Sequence, residues 1–189
     1  TNSPENKFYS DLFFQKLSEK GFIYQRLVEL TYCENDKRYL PDRYVKGKCP
    51  KCGADDQYGD QCERCNSTYQ PIDLVEPHCS ICGSVPVRKQ SLHYFFKLSS
   101  FALQLQQWLD GNKGIQDDVR HFVEGWLKSG LQDWDISRDG PYFGFKIPGE
   151  SNKYYYVWLD APIGYIAATE KYCRDNLGKS AAEAYWQNP

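Results

Sequence analysis

With 189 residues, 41% of them hydrophobic and 16% aromatic, the chain is large enough for one domain with a small insertion, and its composition excludes intrinsic disorder. The formal net charge of -2 argues against a surface that coats nucleic acid as a whole. No apolar run approaches the roughly 20 residues that a membrane-spanning helix needs, and no apolar leader is present. These features predict a soluble, cytoplasmic protein.

The chain contains no methionine and begins with Thr1. A complete open reading frame does not have this composition unless it is processed. We therefore expect an excised fragment of a longer protein, although cleavage of a leader would leave the same appearance.

The first part of the chain predicts a helix followed by a strand. Ser3-Pro4-Glu5 is typical of a helix start, because serine caps the first turn, proline fits within it and an acid favours the positive end of the helix dipole. Apolar residues then recur at helical spacing until Gly21, namely Phe8, Leu12, Phe13 and Leu17. Residues 22–33 alternate between apolar and polar side chains, which predicts a strand.

Two pairs of cysteines then follow with the spacing of a closed zinc site: Cys49, Cys52, Cys62 and Cys65. Each Cys-x-x-Cys pair folds into a tight turn that aims two sulfurs at one point, and two such turns complete a tetrahedron. The loop between the pairs is hydrophilic, so a metal ion rather than a hydrophobic core must hold it. Two disulfides would instead need an oxidising compartment, and a redox Cys-x-x-Cys motif opens a helix rather than recurring in pairs.

A third pair, Cys79 and Cys82, cannot close a zinc site by itself. Cys33 and Asp36 repeat the same spacing with a carboxylate in the last place, whereas His78 would have to bend back sharply. We therefore predict a second, interleaved zinc site made of Cys33, Asp36, Cys79 and Cys82. The alternative is an empty knuckle with free thiols.

Six Lys or Arg side chains between positions 37 and 51 form a basic stripe in which Asp42 is the acid. Such a stripe is either a solvated surface or a contact for nucleic-acid phosphates, and the sequence leaves both readings open. Further along, Cys173 lies in a predicted helix, where we expect a buried small hydrophobe.

The later part of the chain predicts alternating strands and helices. Residues 92–98 predict a strand buried on both sides, and Ser99 and Ser100 then predict the cap of a helix that ends at Gly111 and has Phe101, Leu105, Trp108 and Leu109 inside. A second helix is predicted from about residue 117 to 129. Residues 143–147 and 153–158 read as strands, and Asp160-Ala161-Pro162 predicts a helix start. That turn follows the carboxyl end of a strand, where open α/β sheets bind ligands.

Four separated motifs of the chain are Tyr39-Leu-Pro-Asp-Arg-Tyr-Val-Lys-Gly-Lys-Cys-Pro-Lys-Cys-Gly, Asp56-Gln-Tyr-Gly-Asp-Gln-Cys-Glu-Arg-Cys, Trp134-Asp-Ile-Ser-Arg-Asp-Gly-Pro-Tyr-Phe-Gly and Val157-Trp-Leu-Asp-Ala-Pro-Ile-Gly-Tyr. Together they resemble the methionyl-tRNA synthetase family. The match runs over nearly the whole chain in the right order.

The resemblance implies an α/β fold, in which a Rossmann-type class I synthetase catalytic domain is interrupted by an inserted zinc-ribbon or knuckle subdomain of the α+β type. On this view residues 1–30 end the first catalytic half, residues 31–134 form the zinc-binding connective insertion, and residues 135–189 begin the second half with the amino-acid pocket. The family's His-Ile-Gly-His and Lys-Met-Ser-Lys-Ser signatures would precede Thr1 and follow Pro189. Because both serve ATP, we expect the fragment alone not to activate an amino acid.

By motif position, four residues correspond to those that surround the methionine side chain in the family: Trp158, Ala161, Pro162 and Tyr165. Aromatic rings suit a polarisable thioether, and a small alanine leaves room for it. Without the resemblance, the two aromatic residues would also fit plain core packing. Arg138 corresponds to a catalytic arginine near the reactive carboxylate and phosphate, where a fixed cation would stabilise negative charge.

The implied reaction activates L-methionine with ATP and transfers the aminoacyl group to the 3′ end of tRNA(Met), with Zn²⁺ as cofactor. The rest of the synthetase chain is the expected protein partner. A stand-alone zinc-ribbon module that binds nucleic acid or protein is the alternative, and it explains the cysteines and the basic stripe but not residues 158–165. A purely structural zinc domain is the third reading.

Overall fold

A computed structural model describes residues 2–178 and 185–186. Within the described residues the chain divides into two compact units. The first, here called the helical unit, takes its residues from Thr1–Arg26, His93–Arg138 and Gly144–Pro189. The second, called the knuckle unit, takes them from Leu27–Leu92 and Asp139–Phe143. The division into residues 1–30, 31–134 and 135–189 concerns a longer parent chain and stays a prediction.

Two long helices form one side of the helical unit. Helix α1 (Pro4–Glu19) begins where the sequence predicts, and the Ser3 hydroxyl accepts a hydrogen bond from the Asn6 backbone N–H over 3.2 Å. Helix α4 (Val157–Leu177) packs against α1 and stops before Gly178, whose φ of +61° suits glycine. Cys173 is buried in α4, as predicted. No helix in the described part of the chain is long and apolar enough to cross a membrane.

The core of the helical unit lies beside short antiparallel strands. Strand β6 (Val87–Phe96) pairs with β7 (Trp134–Asp135), and β8 (Ser137–Asp139) pairs with β9 (Lys153–Tyr155). The core cluster consists of the buried side chains of Phe145, Ile147 and Tyr155. Phe14, Tyr94 and Leu159 pack against this cluster. Residues 143–147, predicted as a strand, form an isolated antiparallel bridge between Lys146 and Tyr154 instead, with backbone hydrogen bonds on either side of it.

Three local predictions in the helical unit are wrong. The strand of residues 92–98 is not buried on both sides, because His93 and Phe95 are buried while Leu92 is 42% exposed. Ser99 does not cap a helix, because its N–H and hydroxyl donate to Asp133, and a 3₁₀ turn (Leu98–Phe101) precedes α2 (Ala102–Gly111). Of the side chains predicted inside α2, only Leu109 is buried.

Helix α3 (Asp117–Ser129) has the predicted bounds and ends before Gly130, which has a φ of +84°. Helix α4 begins at Val157 rather than at Asp160, with Tyr156 as the extended residue before its first turn. Pro162 therefore lies inside the helix, where it cannot donate a hydrogen bond to the carbonyl four residues earlier.

Short strands and tight turns make up the knuckle unit. Strand β1 (Ile23–Cys33), which begins in the helical unit, pairs with β2 (Arg38–Tyr39). A three-stranded antiparallel sheet has the order β4 (Gln57–Tyr58), β3 (Val45–Lys48), β5 (Val75–Cys79). Its core consists of Cys33, Leu40, Val45, Leu74 and Cys79, with Tyr69 packed against it.

Candidate metal centres and functional side chains

The first four predicted ligands come together in the knuckle unit. The ligand atoms of Cys49, Cys52, Cys62 and Cys65 all lie within 4.8 Å of one another. The two measured sulfur pairs, Cys49–Cys65 and Cys52–Cys62, are 3.8 and 3.7 Å apart. A tetrahedron with Zn–S bonds of about 2.3 Å has sulfur atoms about 3.8 Å apart. All eight cysteines are free, so this set fits a metal ion and contains no disulfide.

The backbone explains why each Cys-x-x-Cys pair converges. In the turn that begins at Cys49, the Cys49 N–H donates to the Ala54 carbonyl and the Gly53 N–H donates to the Cys49 carbonyl. The same two hydrogen bonds recur in the turns that begin at Cys62 and Cys79. The residue after the second ligand has a positive φ each time, +70° at Gly53, +57° at Asn66 and +75° at Gly83. We call this turn a knuckle.

The second predicted set is also brought together, and its carboxylate stands in a knuckle. The ligand atoms of Cys33, Asp36, Cys79 and Cys82 lie within 4.8 Å of one another. The Asp36 N–H donates to the Cys33 sulfur over 3.3 Å, as the Cys52 N–H does to Cys49 over 3.5 Å. Lys37, which follows Asp36, has the positive φ of +51° that the other knuckles share. Asp36 therefore occupies the position that a second cysteine has elsewhere.

The distances in the second set are slightly shorter than those of the first. Asp36 Oδ2 lies 3.3 Å from the Cys33 sulfur and 3.2 Å from the Cys79 sulfur, and Cys33 and Cys82 are 3.5 Å apart. Zn–S and Zn–O bonds would place sulfur and oxygen about 3.6 Å apart in a tetrahedron. Three thiols and one carboxylate form a donor set that suits Zn²⁺.

Each set has a serine hydroxyl beside it that the sequence analysis missed. Ser67 Oγ lies 3.1 Å from the Cys65 sulfur, and Ser84 Oγ lies 3.0 Å from Cys82 and 3.2 Å from Cys33. Each serine is the fifth residue after the first cysteine of its knuckle. This repeated position could have identified both serines from the sequence.

Hydrogen bonds to sulfur change the acidity of several thiols. Burial acts to raise the pKa of Cys49, but backbone N–H groups of Cys52 and Lys51 and the Ser67 hydroxyl donate to its sulfur and lower the pKa to about 6. The Ser67 hydroxyl and its backbone N–H lower the pKa of Cys65. Because the thiolate is the metal-binding form, these contacts favour ligation by Cys49 and Cys65. Burial raises the pKa of Cys79 to about 11, and although the Ala54 N–H acts to lower the pKa of Cys52, burial and the neighbouring thiols raise it to about 12.

The basic stripe is partly neutralised within the knuckle unit. Arg43 pairs with Asp60 over 3.0 Å, Lys46 with Asp56 over 2.8 Å, and Lys48 with Glu76 over 2.7 Å. Half of the six basic side chains thus have acidic partners. This pairing favours the solvated reading over phosphate contact for these three side chains.

The four predicted pocket residues lie on one face of α4. Trp158, Ala161, Pro162 and Tyr165 are spaced i, i+3, i+4 and i+7, which aligns them along the helix. Trp158 is 62% exposed and Tyr165 is 73% exposed. The opposite stripe, Asp160, Ile163 and Ala167, is buried. The two aromatic residues are therefore not core residues of the helical unit.

Arg138 lies on β8 and is held by three neighbours in the helical unit. Its Nη1 donates to the Ser137 carbonyl over 2.5 Å and lies 3.4 Å from Asp135 Oδ1. Its guanidinium carbon lies 3.8 Å from the centre of the Tyr156 ring. The motif of residues 134–144 thus supplies both the arginine and an acid beside it.

Comparisons with known proteins agree with the motifs. The family model for "tRNA synthetases class I (M)" matches residues 1–189. A methionine–tRNA ligase of Myxococcus xanthus is 55% identical over 186 residues, which cover 98% of this chain and 26% of that protein. A methionine–tRNA ligase of Leptospira biflexa is 53% identical over 175 residues, which cover 93% of this chain and 26% of that protein.

The fold also matches solved structures. Mycobacterium tuberculosis methionyl-tRNA synthetase bound by methionyl-adenylate superposes with a TM-score of 0.62 at 19% identity, covering 99% of this chain and 32% of that one. The apo form of the same enzyme gives a TM-score of 0.59. The chain spans about a quarter of the length of the curated relatives named above. Its mixed fold of helices and strands matches those structures, its cysteine clusters are compatible with a zinc-knuckle insertion, and the chain belongs to the family of class I tRNA synthetases (M).

Proposed function

We propose that the chain is part of a methionine–tRNA ligase that activates L-methionine with ATP and transfers the aminoacyl group to the 3′ end of tRNA(Met) in the cytoplasm. The relatives that share more than half of its residues carry that name, and each is about four times its length. The missing signatures for ATP would come from the rest of the synthetase chain. The fragment alone is therefore inactive in this proposal.

The observation that carries the proposal is the exposed face of α4. Trp158 and Tyr165 project from the helical unit on the same face as Ala161 and Pro162. Two large aromatic side chains exposed one above the other cost hydrophobic free energy unless something covers them. A methionine side chain between them would make sulfur–aromatic and apolar contacts of the kind that a thioether favours.

Residues 1–30, 31–134 and 135–189 would be the end of the first catalytic half, the connective insertion and the start of the second half. All eight candidate metal ligands lie in the knuckle unit, and the five candidate substrate-binding or catalytic residues lie in the helical unit. This separation supports a structural insertion beside a catalytic domain. The insertion would help to guide the acceptor strand of the tRNA.

Both ligand sets would hold Zn²⁺, the first through Cys49, Cys52, Cys62 and Cys65 and the second through Cys33, Asp36, Cys79 and Cys82. In this role Zn²⁺ supplies folding free energy and takes no part in the reaction. The knuckle N–H groups and the two serines orient the sulfur atoms toward the ion.

Arg138 would hold the methionine carboxylate and the α-phosphate of ATP as they react. The hydrogen bond from its guanidinium to the Ser137 carbonyl and its contact with Asp135 both use Nη1. The Nε and Nη2 groups would bind the anionic ligand.

The experiment is a methionine titration of the full-length parent enzyme carrying Tyr165→Ala. Loss of one aromatic wall should weaken methionine binding about 10- to 100-fold, since an aromatic contact with its buried area contributes about 1.5–3 kcal/mol. Because Tyr165 is 73% exposed, the melting temperature should change little.

Tyr172→Ala is the matched control, because Tyr172 lies on α4 with 59% exposure and outside the motif. Unchanged methionine affinity in Tyr165→Ala would refute the proposed methionine pocket and favour a purely structural zinc domain. Robust ATP–pyrophosphate exchange by residues 1–189 alone would refute the proposed division.

A further inference from the structure

Asp135 lies between a buried histidine and Arg138, and both carboxylate oxygens are engaged. Asp135 Oδ2 accepts a hydrogen bond from His93 Nδ1 over 2.7 Å. Asp135 Oδ1 accepts from the Ser137 N–H over 3.1 Å and faces Arg138 Nη1 at 3.4 Å. The side chain is 26% exposed, so the carboxylate is partly shielded from water. The sequence analysis gave neither His93 nor Asp135 a role.

His93, at one end of this group of interacting side chains, is held rigidly. His93 is 1% exposed and lies on β6, two residues before Phe95, which pairs directly with Asp135 across the sheet. Two neighbouring strands therefore fix both the ring and the carboxylate. A carboxylate whose oxygens are both bound cannot rotate without breaking a hydrogen bond in a half-buried site.

The arginine end is confined on two further sides. The Ser137 carbonyl accepts a hydrogen bond from Nη1 over 2.5 Å, and the guanidinium carbon lies 3.8 Å from the centre of the Tyr156 ring. Arginine in solution has four flexible torsions, and ordering them on binding costs conformational entropy. A site that orders them beforehand removes this cost from ligand binding.

We infer that Asp135, oriented by His93, is a positioning residue that holds the Arg138 guanidinium in place for an anionic ligand. The inference rests on the proposed function, which assigns that ligand as the methionine carboxylate and the α-phosphate of ATP, the two groups that are joined as an acyl phosphate in methionyl-adenylate. His93 and Asp135 touch no substrate in this scheme. They act only through Arg138.

The test is a double-mutant cycle in the full-length parent enzyme, read as the dissociation constant of a non-hydrolysable methionyl-adenylate analogue. Arg138→Ala should weaken binding about 30-fold, as expected for a charged hydrogen-bonding partner. Asp135→Asn should weaken it about 5- to 10-fold, because one amide cannot accept hydrogen bonds at both of its terminal atoms. In the Arg138→Ala background, Asp135→Asn should have less than a twofold further effect.

Two histidine variants provide a second measurement. His93→Asn keeps a donor near the position of Nδ1 and should bind the analogue within about threefold of the parent, whereas His93→Leu should match Asp135→Asn. Glu29→Gln is the control, because it removes the carboxylate from the surface ion pair with Arg88 at 2.8 Å and should have no effect.

The outcomes separate the two ideas. Full binding by Arg138→Ala overturns the proposed role of the arginine and the positioning inference with it. If Arg138→Ala binds the analogue much more weakly but Asp135→Asn binds it as the parent does, the inference alone is overturned. It is also overturned if Asp135→Asn weakens binding equally in the parent and in the Arg138→Ala background. Should Asp135→Asn fail to fold, equal binding by His93→Asn and His93→Leu overturns it.

Discussion

Removal of metal from the first set should unfold the knuckles that begin at Cys49 and Cys62 while the helical unit stays folded. The buried apolar cluster of this region consists of Cys49, Ala54 and Cys62, with Tyr69 packed against it. Two of these three residues are candidate ligands. Without metal, very little apolar surface holds the loop of residues 49–67 closed.

Metal binding should contribute far more free energy to this region than burial of its apolar side chains. Ala54 is the buried member of the cluster that is not a candidate ligand, and burying a methyl group contributes about 0.8 kcal/mol. Structural Zn²⁺ binds zinc-finger peptides with an apparent free energy of about 10–16 kcal/mol at pH 7. Metal ligation should therefore exceed the free energy of burying the Ala54 methyl group about 12- to 20-fold.

Amide hydrogen exchange on the chain, with and without a strong chelator, measures the effect. The amides of Cys62 and Asn66, which donate to Ser67 and Cys62 in the knuckle, should lose protection on chelation and regain it when Zn²⁺ is added back. Amides of α4 should keep their protection. Elemental analysis should give about two zinc ions per chain before chelation.

Cys65→Ser and Cys173→Ser form a matched pair for this experiment. Cys65 is a candidate ligand in the knuckle unit, whereas Cys173 is 1% exposed inside α4 of the helical unit and belongs to neither set. The first variant should lose one metal ion, and the second should keep both although its core is weakened. A metal-free protein that retains full protection at Cys62 and Asn66 would refute the reasoning.

The remaining predictions concern three other positions. Asp36→Ala should reduce the metal content to one ion per chain by elemental analysis, whereas Asp36→Cys should keep two, because cysteine completes the knuckle. Gly59→Ala should lower the free energy of urea unfolding of the knuckle unit by about 1–3 kcal/mol, because the added Cβ would lie 2.6 Å from the Asp42 carbonyl oxygen. Arg174→Gln should raise the pKa of Glu5 from about 2 toward its ordinary 4.5, as NMR titration would measure. Because the hydrogen bond from Arg174 lowers this pKa in the folded protein, its stabilisation is present above about pH 4.5 and is lost as the pH falls toward 2 in the parent.

Each of these predictions has a simple control or contrary result. Two ions in Asp36→Ala would show that the carboxylate is not a ligand. Gly111→Ala is the control for Gly59→Ala, because its Cβ would meet nothing within 4 Å, and it should be neutral or slightly stabilising. A Glu5 pKa that stays near 2 after Arg174→Gln would assign the shift to the helix terminus instead of the arginine.

The metal sets could be predicted from sequence because a knuckle is a local structure. Its ligands are three residues apart, so the spacing alone places both on one turn, and the same spacing identified Asp36 beside Cys33. Pairing of the distant halves followed from counting, since Cys79 and Cys82 needed two more ligands. The sequence indicates a positive φ after the second ligand at Gly53 and Gly83, because glycine favours that conformation, but it gives no such indication at Lys37.

The errors arose where burial depends on distant residues. Alternation predicts a strand at residues 92–98 but cannot tell which side is covered, and His93 is buried because Asp135 lies beside its ring. Likewise, tyrosines at 154–156 favour a strand by propensity, and no local signal marks Val157 as the first helical residue. The role of Asp135 was invisible because its partners lie 42 and three residues away.

Helix α4 carries its buried residues and its proposed binding residues on separate stripes. Its stripe of Ile163 and Ala167 is buried in the helical unit, while Trp158 and Tyr165 are exposed on the other side. Residues three or four apart share a face, so the two stripes are about half a turn from each other. Substitutions on the exposed stripe should therefore change stability little, whereas those on the buried stripe should lower it. If the exposed stripe binds methionine as proposed, substitutions there should change the affinity for methionine instead.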